Sequence, residues 1–366
     1  MRDLYFFLGT EAEFIKMFPV IIEAKKRGLN YKLIASGQND VANSKILKTI
    51  DCGEVDLELS FEKDIKKSAS GLLIWWIKTY ESAVSQIKNA FPNVDFTNGD
   101  MIVHGDTVST YMGAKIGKKL GMRVCHIEAG LRSHHLFSPF PEEIDRLLTS
   151  RLARLHFAPG NQATENLNKV NGKVINTIQN TLIDSLRYSE TIPLKNETIS
   201  SLFNDEYFVF VMHRQENLAK KDFVFGMVDE IKKAAQKRKC VILLHAITKN
   251  TFMKFNLLKD LEKNQNIIMF PRVDYFDFMK LLKHSAFVLT DGGSNQEELY
   301  YMRKPCLILR NATERNEGIG INARLFNGSC ADVETFIGEF EKGIYDSDGT
   351  YEGNPSSIII ESLMCD

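Results

Sequence analysis

Short runs of consecutive apolar residues recur along this chain, each followed by a longer stretch with apolar positions at helical spacing. The runs are Leu4–Leu8, Tyr31–Ala35, Met101–His104, Val124–Ile127 and Leu155–Ala158, then Phe208–Met212, Val241–Leu244, Ile267–Phe270, Phe287–Thr290 and Cys306–Leu309. They are unbroken rather than alternating, which is the pattern of strands covered on both faces. Helices between such strands predict parallel sheets. The alternation lapses once, at the polar, proline-bearing "SETIPLKNETI" of 189–199, where a hinge is expected. The prediction is therefore α/β: two Rossmann-like, doubly wound domains, at 1–188 and 200–350, with the tail 351–366 ending in a helix that returns to the first domain. "GLLIWWI", Gly71 to Ile77, is the longest apolar patch and far too short to span a bilayer. It reads as a buried helix face.

In open parallel sheets ligands bind beyond the carboxyl ends of the strands, so the residues just after each run carry the interest. After Leu4–Leu8 stands "GTEAEFIK", with Lys16; after Met101–His104 stands "GDTVST", with Asp106. "EAGLRS" follows Val124–Ile127 with Glu128 and Arg132, and "HRQEN" follows Phe208–Met212 with His213. The run at Phe287–Thr290 leads into "DGGSNQEE", a glycine turn opening a helix, which is a ready anion cradle. Plainer roles exist for each: Asp106 and Asp291 as helix caps, His213 as a structural histidine, Arg315 with Glu314 as a solvated ion pair. Glu128, directly after a strand, has no capping duty. In "SPFPEEIDR", the prolines exclude helix before Pro141, and Glu142 and Glu143 fall in the first turn that follows, where the helix dipole also favours acids. Thr10 and Glu13 have the spacing of a capping box. Glycine turns for phosphate and acids for chemistry, at strand ends in both domains, fit a nucleotide-sugar site.

Composition narrows the partners. With 46 basic and 47 acidic residues in 366, the formal charge is −1, which gives no basic face for nucleic acid. The apolar share of 44% and charged share of 25% are those of a globular protein. The six cysteines are scattered with no CxxC pair, which fits buried or free thiols in a reducing compartment. "MRDLYFFLGTEAE" has only a short apolar run and no cleavage site, so the expected location is the cytoplasm, without membrane insertion. His134 and His135 lack a supporting carboxylate spacing, so no metal is expected.

Nine segments, "GTEAEFIKMFPV", "HGDTVST", "HIEAGLRS", "SPFPEEIDR", "HFAP", "HRQEN", "TDGGSNQEE", "KPCLILR" and "TERNEG", together resemble the UDP-N-acetylglucosamine 2-epimerases of the non-hydrolysing type. The resemblance runs from Gly9 to about Asn322, with all nine in the family's order. It implies a GT-B fold with the active site in the cleft between the domains, a homodimer and no cofactor. The implied reaction eliminates UDP to a 2-acetamidoglycal and adds it back with inversion at C2. By the same resemblance Asp106, Glu128 and Glu142 are acid–base carboxylates and His213 lies near the diphosphate. Lys16, Arg146, Phe278, Gly293, Ser294, Glu298 and Arg315 bind the UDP-sugar, with Gly293 and Ser294 in the phosphate turn, Glu298 on the ribose and Phe278 near the uracil. Which carboxylate takes the C2 proton is left open.

Three departures stand out. Glu11 replaces the family's usual first-turn arginine, the phosphate turn reads Gly292-Gly293-Ser294 instead of serine followed by two glycines, and "LLHAITKN" keeps His245 without the usual asparagine and proline. These bear on the choice of sugar, which relatives vary. The competing readings are a hydrolysing epimerase releasing UDP and N-acetylmannosamine, an epimerase of a modified UDP-sugar, a GT-B glycosyltransferase, and a UDP-sugar-binding protein without turnover. A transferase has no need of so many carboxylates around C2.

Overall fold

The computed structural model describes residues 2–59, 69–134, 141–313, 317–345 and 351–365. His135, 138–140, Glu314 and Arg315 lie outside the described residues. The chain forms two compact units, residues 1–188 with 352–366 and residues 189–351.

The first unit is built on seven strands: β1 (Asp3–Leu8), β2 (Tyr31–Ala35), β3 (Leu57–Glu58), β4 (Gly99–His104), β5 (Arg123–Ile127), β6 (Leu155–Ala158) and β7 (Lys173–Asn176). Their spatial order is β3-β2-β1-β4-β5-β6-β7, and every pair is parallel. The second unit has β8 (Tyr207–Val211), β9 (Lys239–Leu244), β10 (Ile267–Pro271), β11 (Val288–Thr290), β12 (Cys306–Ile308) and β13 (Ala323–Leu325), in the order β10-β9-β8-β11-β12-β13, again all parallel. Strand order reverses between β1 and β4 in one unit and between β8 and β11 in the other. These are the topological switch points where doubly wound sheets bind ligands. The α/β doubly wound expectation is met in each unit.

Phe6, Phe7 and Leu8 of β1, and Phe208, Val209 and Phe210 of β8, are all buried, because helices cover both faces of each sheet. Each fully buried phenylalanine contributes roughly 2–3 kcal/mol of hydrophobic stabilisation. The helix Val108–Leu120 lies close on β1 and β4 because Gly113 and Gly117 face the sheet. A Cβ at Gly113 would stand 2.6 Å from Phe7 Cδ1, and one at Gly117 2.6 Å from Met101 Cβ. Either alanine would push this helix, and the turn before it, off the sheet. The final helix, Pro355–Cys365, packs on Glu11–Lys26, where Arg27 Nη2 donates to Ser357 Oγ at 2.6 Å and to Glu361 Oε1 at 2.8 Å.

One expectation needs correction. "GLLIWWI" lies in the helix Ala69–Ala90, and Trp75 is buried as expected, but Leu73, Ile74 and Ile77 are 60%, 46% and 43% exposed. The helix covers its unit with the stripe Trp75, Thr79, Ala83 and Ile87, leaving the other apolar side open.

Candidate functional site

In the first unit the loops after β1, β4, β5 and β7 bring a dense set of ionisable groups together. Glu128 follows β5 with φ of 62°, a left-handed backbone that a side-chain-bearing residue adopts only under constraint. Its Oε2 accepts from Lys16 Nζ on the helix Glu11–Lys26 and from Asn180 Nδ2 beyond β7. Asn180 is oriented in turn by Leu182 N, which donates to its Oδ1 at 3.2 Å. With side chains only 10% and 7% exposed, Lys16 and Glu128 form a buried ion pair, and removing either partner would cost about 3–5 kcal/mol. His104, at the end of β4, is buried near both, and burial pushes its pKa down to about 4, so at neutral pH it is uncharged.

Asp106 precedes the N-cap of Val108–Leu120. The cap is Thr107, whose hydroxyl accepts from Ser109 N and Thr110 N, so capping is not the role of Asp106. Asp106 pairs instead with Arg146, from the helix Glu142–Leu152. On that helix Glu143 is buried, accepting from Arg132 Nε at 2.5 Å and Ser133 N at 3.1 Å. Burial pulls its carboxyl up, but the Arg132 and Ser133 bonds and the Arg146 charge outweigh that and hold it below its ordinary value. Asp145 has no such help: burial, then Asp106 and Glu142, push it up to about 7. Glu142 stands at the first position of the same helix, near Asp145. Thus Asp106, Glu128, Glu142, Lys16 and Arg146 all fall at one end of this unit's sheet.

In the second unit Asp291 follows β11 and is wholly buried, yet it caps nothing: the helix Gly293–Tyr301 starts at Gly292 without a side-chain cap. Its carboxylate instead accepts from His213 N at 3.0 Å, Arg214 N at 2.9 Å and Asn217 Nδ2 at 3.1 Å, fixing the loop after β8. His213 Nδ1 lies 3.3 Å from Asp291 Oδ1 without a directional hydrogen bond, and the ring stacks on His245 with centroids 4.8 Å apart. Burial, followed by the His213 and Arg272 charges, lowers the His245 pKa. A Cβ at Gly292 would be 2.5 Å from Asn295 Oδ1 and 3.2 Å from His213 Cε1, so glycine is what lets the histidine loop approach this helix start. The first amides of Gly293–Tyr301 thus open beside an imidazole, a suitable place for a phosphate oxygen. Gly293 is half-buried and Ser294 exposed at this start; Glu298 is buried one turn on, with Asn295 Nδ2 donating to its Oε2 at 2.9 Å. Phe278 is half-buried on the helix Tyr275–His284.

The family model for UDP-N-acetylglucosamine 2-epimerase matches residues 22–340. This chain belongs to that family. A UDP-N-acetylglucosamine 2-epimerase of Methanocaldococcus jannaschii is 30% identical over 332 residues, spanning 88% of this chain and 87% of the relative. One from Bacillus subtilis is 28% identical over 366 residues, spanning 97% and 93%. Among solved structures, the M. jannaschii UDP-GlcNAc 2-epimerase superposes with a TM-score of 0.79 at 26% identity, and the Neisseria meningitidis enzyme bound to UDP-GlcNAc with 0.78 at 28%, each over 100% of both chains. An E. coli heptosyltransferase with ADP matches at 0.50 and 13% identity over 93% of this chain, a likeness of fold alone. The fold of this epimerase-family member is thus shared with transferases, and its family membership is what makes it kin to isomerases.

Several residues of the candidate site were not foreseen as such. Asn180 lies beyond β7, a strand with no continuous apolar run, so no strand end pointed to it. Asp145 and Glu143 sit beside the expected Glu142 at helical spacing, and only the packed helix shows which acids turn inward. Glu13 forms the capping box with Thr10 that its spacing implied, but its side chain also reaches Thr107 and Thr110, nearly a hundred residues away.

Proposed function

We propose that this chain interconverts UDP-N-acetylglucosamine and UDP-N-acetylmannosamine by the non-hydrolysing route. The observation that carries the reading is the acid–base set of the first unit: Glu128 held by Lys16 and Asn180, Asp106 held by Arg146, and Glu142 beside an Asp145 whose carboxyl is raised to about 7. Inversion at C2 requires a proton to leave one face and another to arrive at the opposite face. A paired, ionised carboxylate suits removal, and a carboxyl still protonated near neutral pH suits delivery.

The C2–H bond breaks as its proton passes to a base, the C1–O bond breaks as UDP leaves with the electron pair, and a C1–C2 double bond forms. Re-addition of UDP at C1 and of a proton at the other face of C2 completes the epimerisation. In this reading the second unit takes the nucleotide. The Gly293–Ser294 helix start and His213 hold the diphosphate, where charge accumulates as it leaves, while Glu298 takes the ribose, Phe278 the uracil, and Arg315 a further nucleotide contact. Support comes from the named activity of the relatives and from "EAGLRS" and "PFPEEIDR", which add Glu128 and Glu142 to Asp106 in the acid set that re-addition needs.

The enzyme acts in this reading on the cytoplasmic UDP-sugar pool and as a homodimer. Leu73, Ile74 and Ile77, exposed on one helix, offer an apolar face suited to a second copy. Sedimentation of a Leu73→Glu, Ile77→Glu variant tests this; a wild type already monomeric at micromolar concentration would refute it.

Proton NMR of the enzyme with UDP-N-acetylglucosamine in deuterium oxide tests the reaction. UDP-N-acetylmannosamine carrying deuterium at C2 is expected. Free N-acetylmannosamine with UDP would place the protein on the hydrolysing branch, and no exchange with UDP bound would point to a modified UDP-sugar or to transferase chemistry.

A further inference from the structure

Glu13 is buried and makes more bonds than its capping role needs. Its Oε2 accepts from Gly9 N at 2.9 Å and Thr10 N at 2.7 Å, in the loop after β1. Its Oε1 accepts from Thr107 Oγ1 and lies 2.9 Å from Thr110 Oγ1, whose single hydroxyl hydrogen it shares with His104 O at 2.6 Å, in the first turn after β4. One carboxylate therefore clasps both loops of the switch point. The clasp depends on Gly9, where a Cβ would stand 2.4 Å from Glu13 Oε2 and 2.4 Å from Ser109 Cβ. Thr107, which Glu13 grips, is the neighbour of Asp106.

We propose that Glu13 is a positioning residue, holding the Thr107 turn so that Asp106 meets Arg146 in a fixed geometry; the inference rests on the epimerase reading above. Capping alone would be met by the Thr10 side alone. Full burial makes the charged form costly, pushing its pKa up to about 7 against the lowering by Thr107, Thr10 and Thr110. An apolar residue here would leave the Gly9 and Thr10 amides and the Thr107 hydroxyl without this acceptor, so the buried acid is tied to the donors of both loops. What the carboxylate adds is four convergent acceptor contacts that leave the turn one arrangement. Among the described residues the ion pair of Asp106 is with Arg146, and the chain neighbour Thr107 is the residue that Glu13 grips.

The test follows C2 deuteration of UDP-N-acetylglucosamine in wild type, Glu13→Gln, Thr107→Val, the double variant and Thr107→Ser, with UDP affinity measured by calorimetry. A displacement of about 1 Å at a reacting group costs on the order of 100-fold, so kcat should fall about 10- to 100-fold in Glu13→Gln with UDP affinity unchanged. Thr107→Val should fall similarly, and the double variant should be no worse than the poorer single, since both break the same clasp. Thr107→Ser, which keeps the hydroxyl, should retain wild-type kcat. Wild-type kcat in Glu13→Gln, multiplicative losses in the double variant, or equal losses in Thr107→Ser and Thr107→Val would each overturn the proposal. Should Glu13→Gln fail to fold, Glu13→Asp decides: it keeps the charge but is one methylene too short to reach both loops, so wild-type kcat in it would overturn the proposal. A wild type that exchanges nothing at C2 would instead sink the epimerase reading and this inference with it.

Discussion

Asp291→Asn is a sensitive perturbation of the loop that carries His213, proposed above to face the nucleotide. The wild-type carboxylate accepts three N–H groups, at 3.0 Å from His213, 2.9 Å from Arg214 and 3.1 Å from Asn217, and is wholly buried. Hydrogen bonds to a charged acceptor contribute about 1 kcal/mol more than those to a neutral one. Three of them make the Asn variant weaker by about 2–3 kcal/mol at this loop, even if its amide oxygen keeps every donor. Asp291→Ala strands all three donors and should cost about 3–6 kcal/mol. The loop carries His213, so a free protein in which it has come loose must re-form it on binding UDP. By the factor of ten per 1.4 kcal/mol, the Asn variant should bind UDP about 100-fold more weakly by calorimetry. The internal control is Glu216→Gln, which removes a charge from the same loop. Its side chain is 60% exposed and pairs with Arg214 at the surface, so its effect should stay below about 1 kcal/mol. Wild-type UDP affinity in Asp291→Asn, or equal losses in the two variants, would refute the claim that this buried acceptor orders the histidine loop.

Three further outcomes follow from the same geometry. Glu128→Gln and Glu142→Gln should each keep UDP binding while C2 deuteration falls at least about 100-fold; near-wild-type exchange in either removes that residue from proton transfer. Gly292→Ala drives a methyl toward Asn295 and His213 and should weaken UDP binding by about 1–3 kcal/mol without changing the melting of the first unit; undiminished affinity would show that the helix start does not hold the nucleotide. Asp145 is raised from 3.8 to about 7 by burial, so the folded carboxyl holds its proton more tightly than the unfolded one. Its contribution is complete below pH 3.8 and lost as pH rises to about 7, a change of roughly 4 kcal/mol that Asp145→Asn should remove; urea unfolding with the same pH slope in both proteins would contradict the raised pKa.

How far the sequence carried depended on burial. Interior strands of both sheets declare themselves by unbroken apolar runs, and β2 and β6 have the expected bounds. The strands that escaped notice, β3, β7 and β13, are all sheet edges. Edge strands are short and partly wet, so "LE", "KVIN" and "ARL" carry no run to notice. Missing β7 hid Asn180, because a strand-end residue is visible only if its strand is. "GLLIWWI" failed differently: a continuous apolar patch on a helix has no single inward side, and periodicity did not say that Leu73, Ile74 and Ile77 would face out. At the site, residue types and order located the carboxylates, but their partners were illegible, since nothing in the spacing links Lys16 to Glu128 or Arg146 to Asp106.

Both units solve the same mechanical problem in the same way. A switch point brings together two loops from neighbouring strands whose helices diverge, leaving a crevice with few apolar groups to hold its walls. In the first unit Glu13, from the helix after β1, accepts hydrogen bonds from Thr107 and Thr110 after β4. In the second, Asp291 after β11 accepts hydrogen bonds from His213 and Arg214 after β8. Each is a buried carboxylate receiving backbone amides, Glu13 three residues before Lys16 and Asp291 two before Gly293. Hydrophobic packing is too undirected to fix such loops, and side chains that reached the crevice from above would fill it. A carboxylate beneath, satisfied by converging donors, fixes the walls while leaving the opening clear. The desolvation cost of two buried acids is then the structural condition for a rigid, open crevice in each unit, and it explains why buried acids recur at the points where the sheets reverse.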